Sequence, residues 1–241
     1  DLSNQSFNKT FNYGIEWIKK NKNRKFFLYL HGYDLHVPHK CKYENYFDSN
    51  YDEDISYTYE RYINTTISLI NKTRNYNYIN LKESLIKPEQ IDRIIARYDG
   101  CVLSADEQFG NFIYKLEREG LLNKTIIVLF SNHGQDLLEN GLLTHLLPSY
   151  ATLKVPFVIF IPKAKPESIE APVALIDLMP TILSLINITT NHSILVINLI
   201  PLIKSPKISD ESRIIPGYQH IIRGEWALFT YPQIQLFNIK Y

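Results

Sequence analysis

No stretch of this sequence is apolar for long enough to cross a bilayer. The two longest apolar runs, Val155–Pro162 and Ile194–Ile203, fall short of the ~20 residues that a spanning helix needs, and Asn198 and Pro201 interrupt the second. An excess of one charge is missing too. The formal net charge is +1, so no electrostatic argument points to nucleic acid or to a membrane surface. The basic run Lys19-Lys20-Asn21-Lys22-Asn23-Arg24-Lys25 is short and reads as the solvated end of a helix. Cysteine is scarce. Cys41 and Cys101 make neither a metal-type spacing nor a disulfide framework, and two free thiols are expected. There is no internal repeat and no low-complexity linker. There is also no basic-then-apolar leader: the chain starts Asp1-Leu2-Ser3, and reads as an internal segment, a mature form or a truncated reading frame.

What is present suits a folded protein. Hydrophobic residues make up 45% of 241, enough for one large domain, or one domain with a small appendage. Asn-x-Ser/Thr triplets at Asn64, Asn71, Asn123 and Asn187 fit a secreted glycoprotein, but an Asn-rich chain produces such triplets by chance and they fix no compartment. Phe11, Ile15, Trp17 and Ile18 recur at helical spacing over Phe11–Lys22. Phe26–Leu30 is a continuous apolar run of strand length. Residues 40–60, rich in Tyr, Asn and Asp, read as a long surface excursion. Apolar positions from Ile91 to Leu116 keep a helical period, and Pro88 suits the first turn. Strands are expected at Ile126–Phe130 and Val155–Ile161, and a helix at Ala171–Ile186. After Arg213 come short strand-like runs, at 214–215, 221–222, 226–231 and 234–239, which read as an antiparallel meander. Strands alternating with helices and then short strands imply an α/β domain over 1–205 with a small antiparallel β subdomain over 206–241.

Three polar clusters follow predicted strands or lie in a loop beyond one, where α/β enzymes place their chemistry. The first holds His31, Asp34, His36 and His39. The second is Ser131-Asn-His-Gly-Gln-Asp136. The third is His145. Histidine there serves as metal ligand, general acid or anion anchor. For His39, His192 and His220 the expected role is not chemical.

The segment Phe26-Phe-Leu-Tyr-Leu-His-Gly-Tyr-Asp-Leu-His-Val-Pro-His39 resembles the sulfatase pattern FFLYxHxxDPHxPY. Further resemblances follow in order: Tyr98-Asp99 through Asp106-Glu-Gln-Phe-Gly110, Gly120-Leu-Leu-Asn-Lys-Thr through Ser131-Asn-His-Gly134, Lys154-Val-Pro156, Val173-Ala-Leu-Ile-Asp-Leu-Met-Pro-Thr181, and Leu236-Phe-Asn-Ile-Lys240. Together they are similar to the sulfatase branch of the alkaline phosphatase-like superfamily. The resemblance implies a three-layer α/β/α fold, here incomplete, with a mixed and mostly parallel sheet. It implies a divalent cation, most often calcium, that polarises a sulfate ester, and a formylglycine nucleophile. By position, Asn132 and His133 match metal ligands. His36 matches a sulfate-contacting histidine, and His145 a group on the sulfate or the leaving alcohol. Asp34, Asp99, Asp106 and Asp177 match structural positions. The implied partner is a sulfated small molecule or glycan.

Two departures stand out. The nucleophile motif C/S-x-P-x-R is absent, as are the paired aspartates that supply the other metal ligands. The expectation is therefore a fragment of a longer sulfatase-like protein, inactive alone. Asn132 also stands where the family has Asp. A carboxamide can ligate a hard cation but brings no charge, so weak or no metal binding is expected of this chain alone. The alternatives within the superfamily are a phosphoester hydrolase or a phosphoglycerol or phosphoethanolamine transferase. From another class comes a non-catalytic paralogue that binds sulfated ligands.

Overall fold

The computed structural model describes residues 6–48, 61–65, 68, 86–138, 143–145, 148–188, 196–205, 213–217, 219–230 and 234–239. His192 and much of the Tyr-rich stretch 40–85 lie outside the described residues, as does the segment 206–212, which adjoins the division expected after residue 205.

Helix α1 spans Phe7–Asn21, one turn earlier than its apolar period suggests. Ser6 caps it by accepting from the Lys9 N–H at 3.4 Å. The Phe7 N–H donates to the Asp34 carboxylate at 2.5 Å. These acceptors satisfy backbone donors that a helix start otherwise leaves open. Helix α2 runs from Pro88 to Arg118. It ends where Gly120 takes φ +68°, which lets the Leu121 N–H reach back to Leu116 O at 3.0 Å. Ile15 and Ile18 of α1 pack with Phe112 and Leu116 in the C-terminal part of α2 and with Leu121 just beyond it.

Phe26, Leu28 and Leu30 join that same core, while Phe27 and Tyr29 are exposed. The segment is extended, but buried on one face only. Strand β1, Ile127–Phe130, pairs antiparallel with β4, Phe157–Phe160. β4 alternates between half-buried and exposed residues, so these strands also depart from the full burial expected of them. Between them lie β2, Asp136–Leu137, paired with β3, Leu143–Thr144, and the single turn α3, Tyr150–Leu153. Every ladder among the described residues is antiparallel.

Helix α4 occupies Leu178–Leu185, shorter than its apolar pattern, and α5 occupies Ile200–Lys204. The shortening has a cause in Asp177, which is fully buried. Its carboxylate accepts from Ala174 N at 2.8 Å, Ile197 N at 3.0 Å and Arg213 Nη2 at 2.7 Å. It holds the residues ahead of α4 in a tight turn, and it ties in the start of the last sheet. That sheet is a meander of β5, Ile214–Pro216, β6, His220–Arg223, β7, Trp226–Phe229, and β8, Gln235–Asn238.

The two cysteines are not free thiols: Cys41 and Cys101 form a disulfide, with Cα atoms 5.5 Å apart. Sequence spacing gave no sign of it because the partners stand 60 residues apart. By loop closure alone such a bond stabilises the fold by about 4 kcal/mol.

Candidate functional site

The site is built at the ends of three segments. His36 follows the extended stretch 26–30, in a turn closed by its own N–H on Tyr33 O at 2.9 Å. Its Nδ1 lies 2.8 Å from Val37 O. His133 follows β1. There Ser131 Oγ donates to His133 O at 2.6 Å, and His133 Nδ1 lies 2.9 Å from Gly134 O. A carbonyl accepts only, so both Nδ1 atoms carry hydrogen, and both Nε2 atoms are left to face a ligand.

Gly134 is required by packing. Its N–H donates to Thr152 O at 2.7 Å, and a Cβ there would lie 2.0 Å from Ala151 O. The turn after His133 is thereby pressed against α3, whose start is fixed by reciprocal hydrogen bonds between Ser149 and Thr152. His145 follows β3. The Leu143 N–H donates to the buried Tyr62 hydroxyl at 3.1 Å, which fixes the strand that delivers it.

The three rings meet. His133 and His145 stack with centroids 4.1 Å apart, and His36 stands edge-on to His145 at 5.0 Å and to His133 at 6.5 Å. Burial first, and then the charges of His133 and His36, together lower the pKa of His145 to about 4. His145 is therefore neutral at pH 7. Its Nδ1 is buried, with no hydrogen-bond partner among the described residues. Such an atom is costly unless something polar meets it. Tyr33 closes one side of the cluster, its ring 5.4 Å from His36.

The other candidates fall elsewhere. Asn132 is exposed, on the segment that carries His133. Asp136 is fully buried within the β2–β3 pairing. Asp34 and Asp177 act structurally, as described above. Asp99 and Asp106, read in sequence as structural, sit exposed on α2. His39 is fully buried, edge-on to Tyr98 at 5.3 Å, and burial brings its pKa to about 4. His220 is half-buried against Phe229. Sequence reasoning missed Arg93 and Arg97. Arg97 is almost fully buried and pairs with Glu44 at 3.5 Å, and Arg93 pairs with Asp48 at 2.8 Å. Their spacing, with Cys101, at i, i+4 and i+8 on α2 was the available signal.

A calcium ion takes about six to eight oxygen ligands, carboxylates foremost. The described site offers one carboxamide and imidazoles, and no carboxylate. Among the described residues no group of three His, Cys, Asp or Glu side chains is placed to hold a metal. These donors do not make a calcium site by themselves. No described helix is long and apolar enough to cross a membrane.

A family model described as Sulfatase matches residues 2–188. The chain is 27% identical over 193 residues to an arylsulfatase of Clostridium perfringens, covering 78% of this chain and 39% of that protein. It is 26% identical over 228 residues to arylsulfatase K of Xenopus laevis, covering 88% and 41%. The chain thus spans about two fifths of the length of these curated relatives. Among solved structures, a Bacteroides thetaiotaomicron protein from a locus for metabolism of multiple glycosaminoglycans superposes with TM-score 0.59 at 17% identity, over 95% of this chain and 51% of its own. A protein solved with its substrate D-glucosamine-2-N,6-O-disulfate gives 0.54 at 20% identity, over 86% and 46%. A phosphonate monoester hydrolase from Silicibacter pomeroyi also gives 0.54, at 23% identity, over 64% and 36%. These structural likenesses establish the alkaline phosphatase-like fold.

Proposed function

The chain belongs to the sulfatase family, and from that premise we propose that it carries the sulfate-holding side of a site that hydrolyses sulfate esters. The observation that carries this reading is the convergence of His36, His133 and His145 from three separate segments. The net reaction consumes one water: the bond from sulfur to the alcohol oxygen breaks, sulfur passes to the nucleophile and is released as sulfate, and the alcohol leaves with a proton. His36, its Nδ1–H tied to a carbonyl, donates from Nε2 to a sulfate oxygen when the ring carries both hydrogens. His145, held neutral, donates one N–H to an ester or leaving-group oxygen without adding a charge to the pocket. Fixed donors of this kind stabilise charge as it develops on the transferring group.

Asn132 and His133 would hold a divalent cation, calcium by family analogy, only together with further acidic ligands. The chain holds no C/S-x-P-x-R motif, so the acidic ligands and a formylglycine nucleophile would have to be supplied from outside these 241 residues. The substrate is a sulfated small molecule or glycan. The structural neighbour bound to a glucosamine disulfate supports the glycan class. A second reading, a binding protein for sulfated ligands without turnover, draws on Asn132, the neutral residue at a metal position. A phosphoester substrate is the third, and the Asp34-Leu-His-Val-Pro38 segment argues for sulfate over it.

The test is incubation of the chain with 4-nitrophenyl sulfate and calcium. Saturable binding without release of 4-nitrophenol is expected. Turnover by the chain alone would contradict the division of the site, and no binding would contradict the site itself. A C/S-x-P-x-R motif in the polypeptide preceding Asp1 would separate hydrolase from binding protein.

A further inference from the structure

The segment 41–48 lies antiparallel along one face of α2. Asp48 meets Arg93, Glu44 meets Arg97, and Cys41 is bonded to Cys101. The three helix residues are spaced i, i+4 and i+8, so they form one row. Between the last two anchors the strap touches helix backbone: a Cβ on Gly100 would lie 2.0 Å from Tyr43 O. The anchors differ in distance from the candidate site. Glu44 and Asp48 stand eight and twelve residues beyond His36, and Cys41 only five. The short connection from His36 to Cys41 is itself constrained, since His39 N donates to His36 O at 2.9 Å and the buried His39 ring lies against Tyr98. Cys101 is fully buried and Cys41 only half-buried, so a reductant's approach is through Cys41.

We infer that the Cys41–Cys101 bond is a positioning device for His36, and that its oxidation state sets how well the three-histidine site holds an oxyanion. The inference rests on the sulfate-holding reading of that site. The chemistry is thiol–disulfide exchange with a dithiol. One thiolate of the reductant attacks a sulfur of the bond and forms a mixed disulfide, and the second thiol of the reductant displaces it. Two electrons and two protons pass to the protein, Cys41 and Cys101 end as thiols, and the reductant leaves as a cyclic disulfide. With the bond open, the two arginine–carboxylate pairs and His39 still hold the strap to α2, while the anchor just beyond His39 is lost. The fold persists and His36 loosens. A misplacement of even an ångström is costly at a site of this kind.

The experiment follows the side-chain NMR signals of His36 in the chain, oxidised and reduced with dithiothreitol, without and with inorganic sulfate, alongside far-ultraviolet circular dichroism. On reduction the His36 signals shift, sulfate affinity falls about tenfold, and the helical signal is kept. The Cys41→Ser/Cys101→Ser variant behaves like the reduced protein and ignores dithiothreitol. His36 signals and sulfate affinity that are the same in both states overturn the inference. Cooperative loss of the helical signal on reduction overturns it too, since the bond would then be a staple of the whole fold. If sulfate binds in neither state, the sulfate-holding reading fails alone, and the sulfate-free His36 signals still decide whether the bond positions the ring.

Discussion

The strap 41–48 and the sheet β5–β8 are both short segments laid against the rest of the molecule, and they are built by opposite means. The strap is held by partners 45, 53 and 60 residues away in sequence. The sheet pairs each strand with the next one in the chain, and a link from it to the body is Arg213, which donates to Pro172 O and to Asp177. The three clustered histidines and the strap lie within residues 2–188, which match the sulfatase model, and the sheet lies beyond them in sequence. Local pairing is enough to make a sheet. Bringing His36, His133 and His145 to one point requires long-range restraint, whose cost is chain entropy.

Three perturbations break or sharpen this contrast. The largest effect falls on the link to the sheet. Asp177→Ala leaves Arg213 without its buried partner and strips acceptors from Ala174 and Ile197, at a cost of about 3–5 kcal/mol. Urea denaturation measures it. A loss under 1 kcal/mol would show that Asp177 does not hold the sheet to the body.

Next comes acid, acting on the strapped side. His39 has a folded pKa of about 4, because burial penalises its charged form, against an ordinary value of 6.5. Between those values the unfolded chain binds more protons, so stability falls as pH drops from 6.5 towards 4, by about 3 kcal/mol in all. His145 and His220 are shifted the same way. The difference between the protein and a His39→Gln variant, compared by denaturation at pH 7 and pH 4.5, isolates the His39 share. Equal slopes in the two proteins would contradict it.

The smallest effect separates two faces of α2. Gly100→Ala drives a methyl into Tyr43 O and costs about 1–3 kcal/mol. Gly110→Ala meets nothing within 4 Å and gains about 0.5–1 kcal/mol in helix propensity. Melting temperatures that move in opposite directions would show that the strap lies on the Gly100 face alone. A shift of the same sign in both would not.

Much of the secondary structure was legible because it is local. The helical period from Ile91 marks α2, and the runs after Arg213 mark β5 to β8, with β5 and β6 each extending beyond the run that marks it. α1 starts earlier than its period indicates because Asp34, 27 residues on, accepts from its first N–H. The helix expected at Ala171–Ile186 loses its first half because Asp177 holds the preceding backbone in a turn. The disulfide was unreadable for the same reason: nothing near Cys41 in sequence refers to Cys101. Candidate site residues could be named from the motif around His36 and the one around His133. That their rings meet at His145 is tertiary information, set by Gly134 packing on α3 and by Tyr62 holding β3.

The central claim is that His36, His133 and His145 act as one sulfate-ester site. The most direct measurement follows all histidine side-chain NMR signals during titration with methyl sulfate. The account predicts that the signals of these three move together along one saturation curve while those of His39 and His220 stay still. Signals of the three that stay still, or that move with unrelated affinities, would contradict it.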